Sequence, residues 1–247
     1  MKLGKLKEWI ARSSPTLMAR LTGVLYLING VVYSKADSLL HGRILVKDDA
    51  AVTAHNILTN GSALQLSYAY LLIATVAYIA VTFMLYELLK PVNRRISLLA
   101  AFFSMAGCIV GTFGSVFTIA PLTILGGTPY LSVFKVEQLQ AMALLSLNLS
   151  GIVADISMVF FGCYCILIGF LILRSKFMPR IIGAFLIIAG LTYQLFLSPQ
   201  FAAMHFSHVV MPAGMLGEGS LILWLLIFGV NSQRWKQQAG IALEAGR

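Results

Sequence analysis

Long apolar runs separated by short polar stretches organise this chain. Six such runs fall at about 17–34, 64–89, 97–119, 152–173, 181–197 and 209–230. Each has close to the roughly 17–25 residues that a helix needs to cross the hydrocarbon core of a bilayer. Lipid offers no partner to a bare amide or carbonyl, so a run of this kind must satisfy its backbone internally, as a helix does. The pattern predicts an all-α integral membrane protein, a six-transmembrane-helix bundle over residues 17–230.

The polar stretches predict further elements. Residues 1–16 form a basic arm, in which Lys2, Lys5 and Lys7 stand beside Leu3, Leu6, Trp9 and Ile10. Over residues 1–11 that is the composition of an interfacial helix. The connection at 35–63 is long enough to hold structure, and Asp48 is placed to cap a short helix through His55 and Leu58. Gly126-Gly127 and Pro129-Tyr130 mark a turn before residues 138–149, which read as helix. The fourth helix is therefore expected to begin well above the apolar core. Residues 231–247 form a polar tail. Ser34-Lys35-Ala36 has the look of a signal-peptidase site. A long basic segment precedes that run and five more runs follow, so the first helix is read as retained. No internal repeat of the kind built into many transporters is evident.

Composition agrees with the membrane reading, and charge orients it. The 247 residues are 59% hydrophobic and 11% charged, whereas a soluble domain carries about 25% charged residues. Eighteen Lys+Arg against nine Asp+Glu give a net charge of +9. These cations sit in short groups between apolar runs rather than over one face, which argues against a nucleic-acid partner. Lys90, Arg94 and Arg95 follow the second run; Arg174, Lys176 and Arg180 follow the fourth; Arg234, Lys236 and Arg247 lie in the tail. The intervening connections are balanced or lack Lys and Arg. Positive-inside counting then places both termini in the cytoplasm. Cys108, Cys163 and Cys165 all lie in apolar runs. Cys163 and Cys165 point to nearly opposite sides of a helix, so they read as small apolar residues rather than a disulfide or metal pair.

Against this apolar background the buried polar residues are the candidates for function. An ionisable group at the centre of a span costs roughly 2.5–3.5 kcal/mol on insertion scales. Asp155 lies near the outer end of the fourth run. Glu218 lies about nine residues into the sixth, roughly 14 Å below its outer boundary. Asn29, Asn148 and Gln194 fall in the same half of the membrane. Asn29 shares a face with Thr22, Tyr26 and Tyr33, Gln194 lines up with Gly183, Ile187 and Gly190, and Asn148 shares a face with Asp155. His41, His55, His205 and His208 all fall on the outer side. Together these positions predict an outward-facing polar pocket floored by Glu218.

Structural roles compete at each position. Asp155 also reads as an interfacial carboxylate, Glu218 as a carboxyl bonded between helices, and Asn29 and Gln194 as interhelical glue. His205 and His208 have the spacing of a metal pair and equally the composition of a solvated loop. Glu87 has Lys90 and Arg94 within helical reach, so an ion pair is expected. Gly107-Cys108-Ile109-Val110-Gly111 predicts close helix packing. The sequence has no Walker A, His-Glu-x-x-His or GxSxG motif and no paired intramembrane histidines for haem. These absences speak against an ATP-driven pump or a conventional protease.

Three stretches carry a resemblance. They are Glu87-Leu88-Leu89-Lys90-Pro91-Val92-Asn93-Arg94; Phe160-Phe161-Gly162 with Phe177-Met178-Pro179-Arg180-Ile181-Ile182-Gly183; and Gly217-Glu218-Gly219-Ser220 with Trp224. Over about residues 20–230 the chain resembles a bacterial multi-pass family known only as domain of unknown function four-three-eight-six. The resemblance implies an all-helical protein of the bacterial cytoplasmic (inner) membrane and carries no activity. Gly217, Glu218 and Trp224 match its pattern in the last span. Asn148 and Tyr164 stand where the family often has histidines, which weakens any metal site on the fourth helix.

The functional expectation is binding or transport of a small apolar or cationic molecule, with Glu218 as proton carrier or counter-charge. Asp155, Asn29, Asn148 and Gln194 are its companions. One rival is a membrane-embedded lipid hydrolase using His205, His208, Asp155 and Glu218 with a metal or as acid and base. Another is a non-catalytic accessory or stress-response protein working through helix contacts. No cofactor is expected apart from that metal. The partners expected are the bilayer and a small ligand, and the oligomeric state stays open.

Overall fold

The computed structural model describes residues 14–244, so the interfacial helix expected over 1–11 lies outside the described residues. Among the described residues all regular structure is helical. The helices are α1 (Pro15–Arg43), α2 (Ala50–Thr59), α3 (Gly61–Leu89), α4 (Arg94–Leu125), α5 (Val136–Arg174), α6 (Arg180–Tyr193), α7 (Pro199–His205), α8 (Met211–Ile227) and α9 (Ser232–Glu244). A 3₁₀ turn at Gln194–Leu197 extends α6, and a π turn at Phe206–Val210 joins α7 to α8. Six of these segments are long and apolar enough to cross a membrane: α1, α3, α4, α5, Arg180–Leu197 and Pro199–Ile227.

The helices outrun the apolar runs because hydrogen bonding continues where hydropathy stops. At 1.5 Å per residue the 29 residues of α1 span about 43 Å, more than the ~30 Å hydrocarbon core. Its extra turns carry Asp37, which faces His41 at 3.0 Å one turn on. α5, with 39 residues, begins at Val136 and includes the helical stretch expected at 138–149.

Helix ends follow local chemistry. α3 stops before Pro91, and Asn93 opens α4 by accepting the Ile96 amide at 3.0 Å. α8 ends where Gly229 adopts φ +66° and its amide returns to the Trp224 carbonyl. The short helix α2 is present, but its cap is Asp49 rather than Asp48. Asp49 Oδ1 accepts the Val52 amide at 2.9 Å, while Asp48 takes the left-handed turn before it (φ 62°).

The chain divides into two compact units, and α1, α3, α4 and α5 each contribute one part to either. The first unit comprises the chain up to Leu27, Tyr78–Ala106 and everything from Met158. In it α6 packs along α8. The α5 segment from Met158 meets α6 through four glycines at heptad spacing. Gly162 stands against Gly190 and Gly169 against Gly183, so close that a Cβ on Gly169 or Gly183 would lie 2.6 Å from the other's carbonyl oxygen. Small residues let apolar helices come together backbone to backbone. α1 is braced on the end of α8: Arg20 Nη2 donates to Ile227 O at 3.3 Å and Thr16 Oγ1 to Val230 O at 2.8 Å.

The second unit comprises Ile28–Ala77 and Gly107–Ser157. Ile44, Ile57, Leu64, Ala143 and Leu147 form its buried core. Hydroxyls tie its helices: Ser67 Oγ donates to Ala36 O at 2.8 Å, and Thr118 and Ser150 share a 2.7 Å bond. Pro121, inside α4, has no amide to offer the Phe117 carbonyl one turn back. Ser146 Oγ of α5 takes that carbonyl at 2.8 Å.

Of the α4 glycines expected to pack closely, Gly111 does not. A Cβ on Gly111 would meet only Ser157 at 3.7 Å, an ordinary contact. Large apolar side chains face outward instead, with Val76, Ile109 and Phe113 at 69%, 66% and 61% exposure. Surface of that kind suits lipid, not water.

Candidate functional site

Glu218 is the only charged residue of α8, and two tyrosines from neighbouring helices hold it. Tyr26 of α1 donates its hydroxyl to Oε2 at 2.6 Å, and Tyr193 of α6 donates to Oε1 at 2.6 Å. All three residues belong to the first unit. Each carboxylate oxygen thus has one neutral O–H donor. Among the described residues no lysine, arginine or histidine pairs with Glu218.

The sequence around Glu218 shapes this clamp. Gly217, one residue before, sits on α6 so tightly that a Cβ would meet Ala189 Cβ at 2.7 Å and Phe185 O at 2.9 Å. Gly214, one turn before, leaves the space through which the Tyr193 hydroxyl passes; a Cβ there would stand 2.5 Å from it. Behind Tyr26 lies an aromatic cluster. Its ring meets Tyr78 of α3 edge-on at 5.6 Å, and Tyr78 meets Phe161 and Tyr164 of α5 at 5.0 and 6.1 Å. Tyr26, Tyr78 and Tyr164 are all buried.

The other candidates have their own surroundings. Gln194 turns toward α5, its Nε2 donating to Val159 O at 3.2 Å and Gly190 O at 3.3 Å. Asn29 Nδ2, in the second unit, donates to Ala74 O at 2.8 Å. Both bridge a helix to a neighbour's backbone, the structural role weighed for them. Asp155 and Asn148 also lie in the second unit. Asp155 is half-buried with no hydrogen bond or ion pair among the described residues, and Asn148 is exposed. Glu87 forms its expected pair with Lys90.

His205 and His208 do not share an α-helical register. His205 ends α7 with φ −109° and ψ 2°, and His208 lies in the π turn. The His205 Nδ1 is 2.9 Å from Phe201 O, with the Phe201 ring 4.2 Å away, while His208 is exposed. Among the described residues no three His, Cys, Asp or Glu side chains gather to hold a metal.

Sequence reasoning named Glu218 and placed Tyr26 on a polar face, but it assigned neither Tyr193 nor Tyr78 to the site. The signal was a glycine one turn before a carboxylate in an apolar helix, which opens space for a long polar side chain.

Fold and site together define an all-helical protein of the membrane-spanning kind, with six candidate spans and a carboxylate clamped by two tyrosines. The chain belongs to the family described as Domain of unknown function (DUF4386), which matches residues 21–229. It is 29% identical to an uncharacterised protein of the archaeon Archaeoglobus fulgidus over 154 residues, 61% of this chain and 76% of that protein. No solved structure matches.

Proposed function

We propose that this is a binding or transport protein of the cytoplasmic membrane, with both termini in the cytoplasm. Its ligand is a small cationic or apolar molecule, and Glu218 carries the proton or counter-charge. One observation carries the reading: a carboxylate in a candidate span held by two neutral hydroxyls and, among the described residues, by no cation. Two hydrogen bonds give each carboxylate oxygen one donor without cancelling the charge. A proton or a ligand cation would cancel it.

The clamp also supplies a coupling device. While Glu218 is ionised, Tyr26 and Tyr193 both donate to it, and α1, α6 and α8 are tied at one point. A proton on Glu218 turns one carboxyl oxygen into a donor. The tyrosine facing that oxygen can then reverse its own O–H and accept that proton, while the other tyrosine goes on donating to the carbonyl oxygen. Proton state thereby changes how the three helices are joined, which is the kind of differential contact a two-state transporter needs.

The test uses proteoliposomes with an imposed pH gradient and ethidium as a lipophilic cation probe. Gradient-driven uptake is expected for the wild type and not for Glu218→Gln, with both proteins eluting and melting alike. Uptake equal in the two proteins, or no greater than in protein-free liposomes, would refute the reading. Orientation is tested by an impermeant maleimide on intact cells, which should label His55→Cys and leave Gln237→Cys unlabelled.

A further inference from the structure

The cations between α5 and α6 do more than orient the chain. The connection Ser175–Pro179 and the start of α6 face α9 across an open cleft of about 400 Å³, lined by Ser175, Lys176, Met178, Arg180, Arg234 and Gln237. All of it belongs to the first unit. Three of the six lining residues are cations and none is acidic. Among the described residues none of the three has a carboxylate partner.

The walls of this cleft are fixed. Gln238 Oε1 accepts the Lys176 amide at 3.1 Å, and the Asn231 amide donates to Phe177 O at 3.3 Å. Arg234 Nη1 reaches Lys176 O at 3.5 Å. α9 is pinned by Trp235, whose Nε1 donates to Leu88 O at 2.8 Å. The mouth of α6 adds partial positive charge. Its N-cap is Pro179, which makes no side-chain cap, and Arg180 is its first residue. The leading amides of the helix are therefore left for another acceptor.

The position selects the anion. α5 and α6 are both apolar enough to cross a membrane, and the cleft lies where one ends and the other begins. That is the level of the lipid headgroups. Phe177 and Met178 of the same connection are both buried, which anchors it in the apolar interior. Basic pockets between spanning helices are where anionic headgroups dock.

We propose that this cleft binds the phosphate headgroup of an anionic phospholipid, with Lys176, Arg180 and Arg234 as its ligands. The experiment is native mass spectrometry of the delipidated full-length protein titrated with cardiolipin, with phosphatidylcholine, or with inorganic phosphate alone. Cardiolipin is expected to bind the wild type and to bind K176Q/R180Q/R234Q about 100-fold more weakly, as loss of three surface cations implies. R94Q/R95Q/R174Q, which removes the same charge outside the cleft, should keep the wild-type affinity. If the cleft variant does not assemble, Arg180→Gln alone should weaken cardiolipin about fivefold. Equal losses in the two triple variants would overturn the proposal in favour of diffuse attraction. Saturable phosphate binding that displaces cardiolipin would overturn it in favour of a free anion.

Discussion

The Tyr193 hydroxyl reaches Glu218 by passing over Gly214: it is 2.6 Å from Oε1, and a Cβ on Gly214 would stand 2.5 Å from it. The glycine and the hydrogen bond are therefore one feature. Gly214→Ala should push the tyrosine off the carboxylate and cost about 1.5–3 kcal/mol, the worth of a hydrogen bond to a charged group. Tyr193→Phe should cost a similar amount. The double variant should cost much less than the sum, since both changes remove one bond. Denaturant unfolding in detergent checks this, and strict additivity would separate the two residues.

Glycines at α5 and α6 should respond unlike the glycine of α4. Gly169→Ala places a methyl against the Gly183 carbonyl, which is backbone and has nowhere to turn. A loss of about 1–3 kcal/mol is expected from overpacking. Gly111→Ala has only the Ser157 side chain at van der Waals distance and should fall within about 0.5 kcal/mol of wild type. Thermal melts of the two variants in one detergent make the comparison; an equal loss in both would contradict it.

Pro121 and Ser146 should be coupled through the Phe117 carbonyl. Ser146→Ala leaves that carbonyl unpartnered in an apolar setting and should cost about 1–3 kcal/mol. In the Pro121→Ala background α4 supplies its own amide, so Ser146→Ala should become nearly neutral. A cycle showing the same serine cost with and without the proline would disprove the link.

Much of this architecture was readable in the residues because lipid imposes a simple rule. Apolar length gave six helices, and Glu218 stood out as a charge where none is cheap. The first helix was read short of Arg43, because hydropathy marks the lipid boundary while hydrogen bonding runs past it, whereas the turn before residues 138–149 marked the early start of α5 at Val136. Asp48 and Asp49 were confused because cap choice depends on which of two adjacent residues enters the left-handed turn. Tyr193 was missed for a deeper reason. Its approach to Glu218 depends on how α6 is rotated against α8, and that rotation is set by Gly214 and Gly217 meeting α6. The α5–α6 glycines were visible at Gly162, Gly169, Gly183 and Gly190. Gly107 and Gly111 drew attention instead because spacing on one helix does not reveal which partner faces it.

In the proposed reading Glu218, held between two tyrosine hydroxyls, is the group that carries the proton, and infrared difference spectroscopy of the protein in lipid reads that group directly. Acid-minus-alkaline spectra should show a protonated-carboxyl band that disappears in Glu218→Gln and shifts in Tyr193→Phe. The same band, undiminished and unshifted in both variants, would contradict the account.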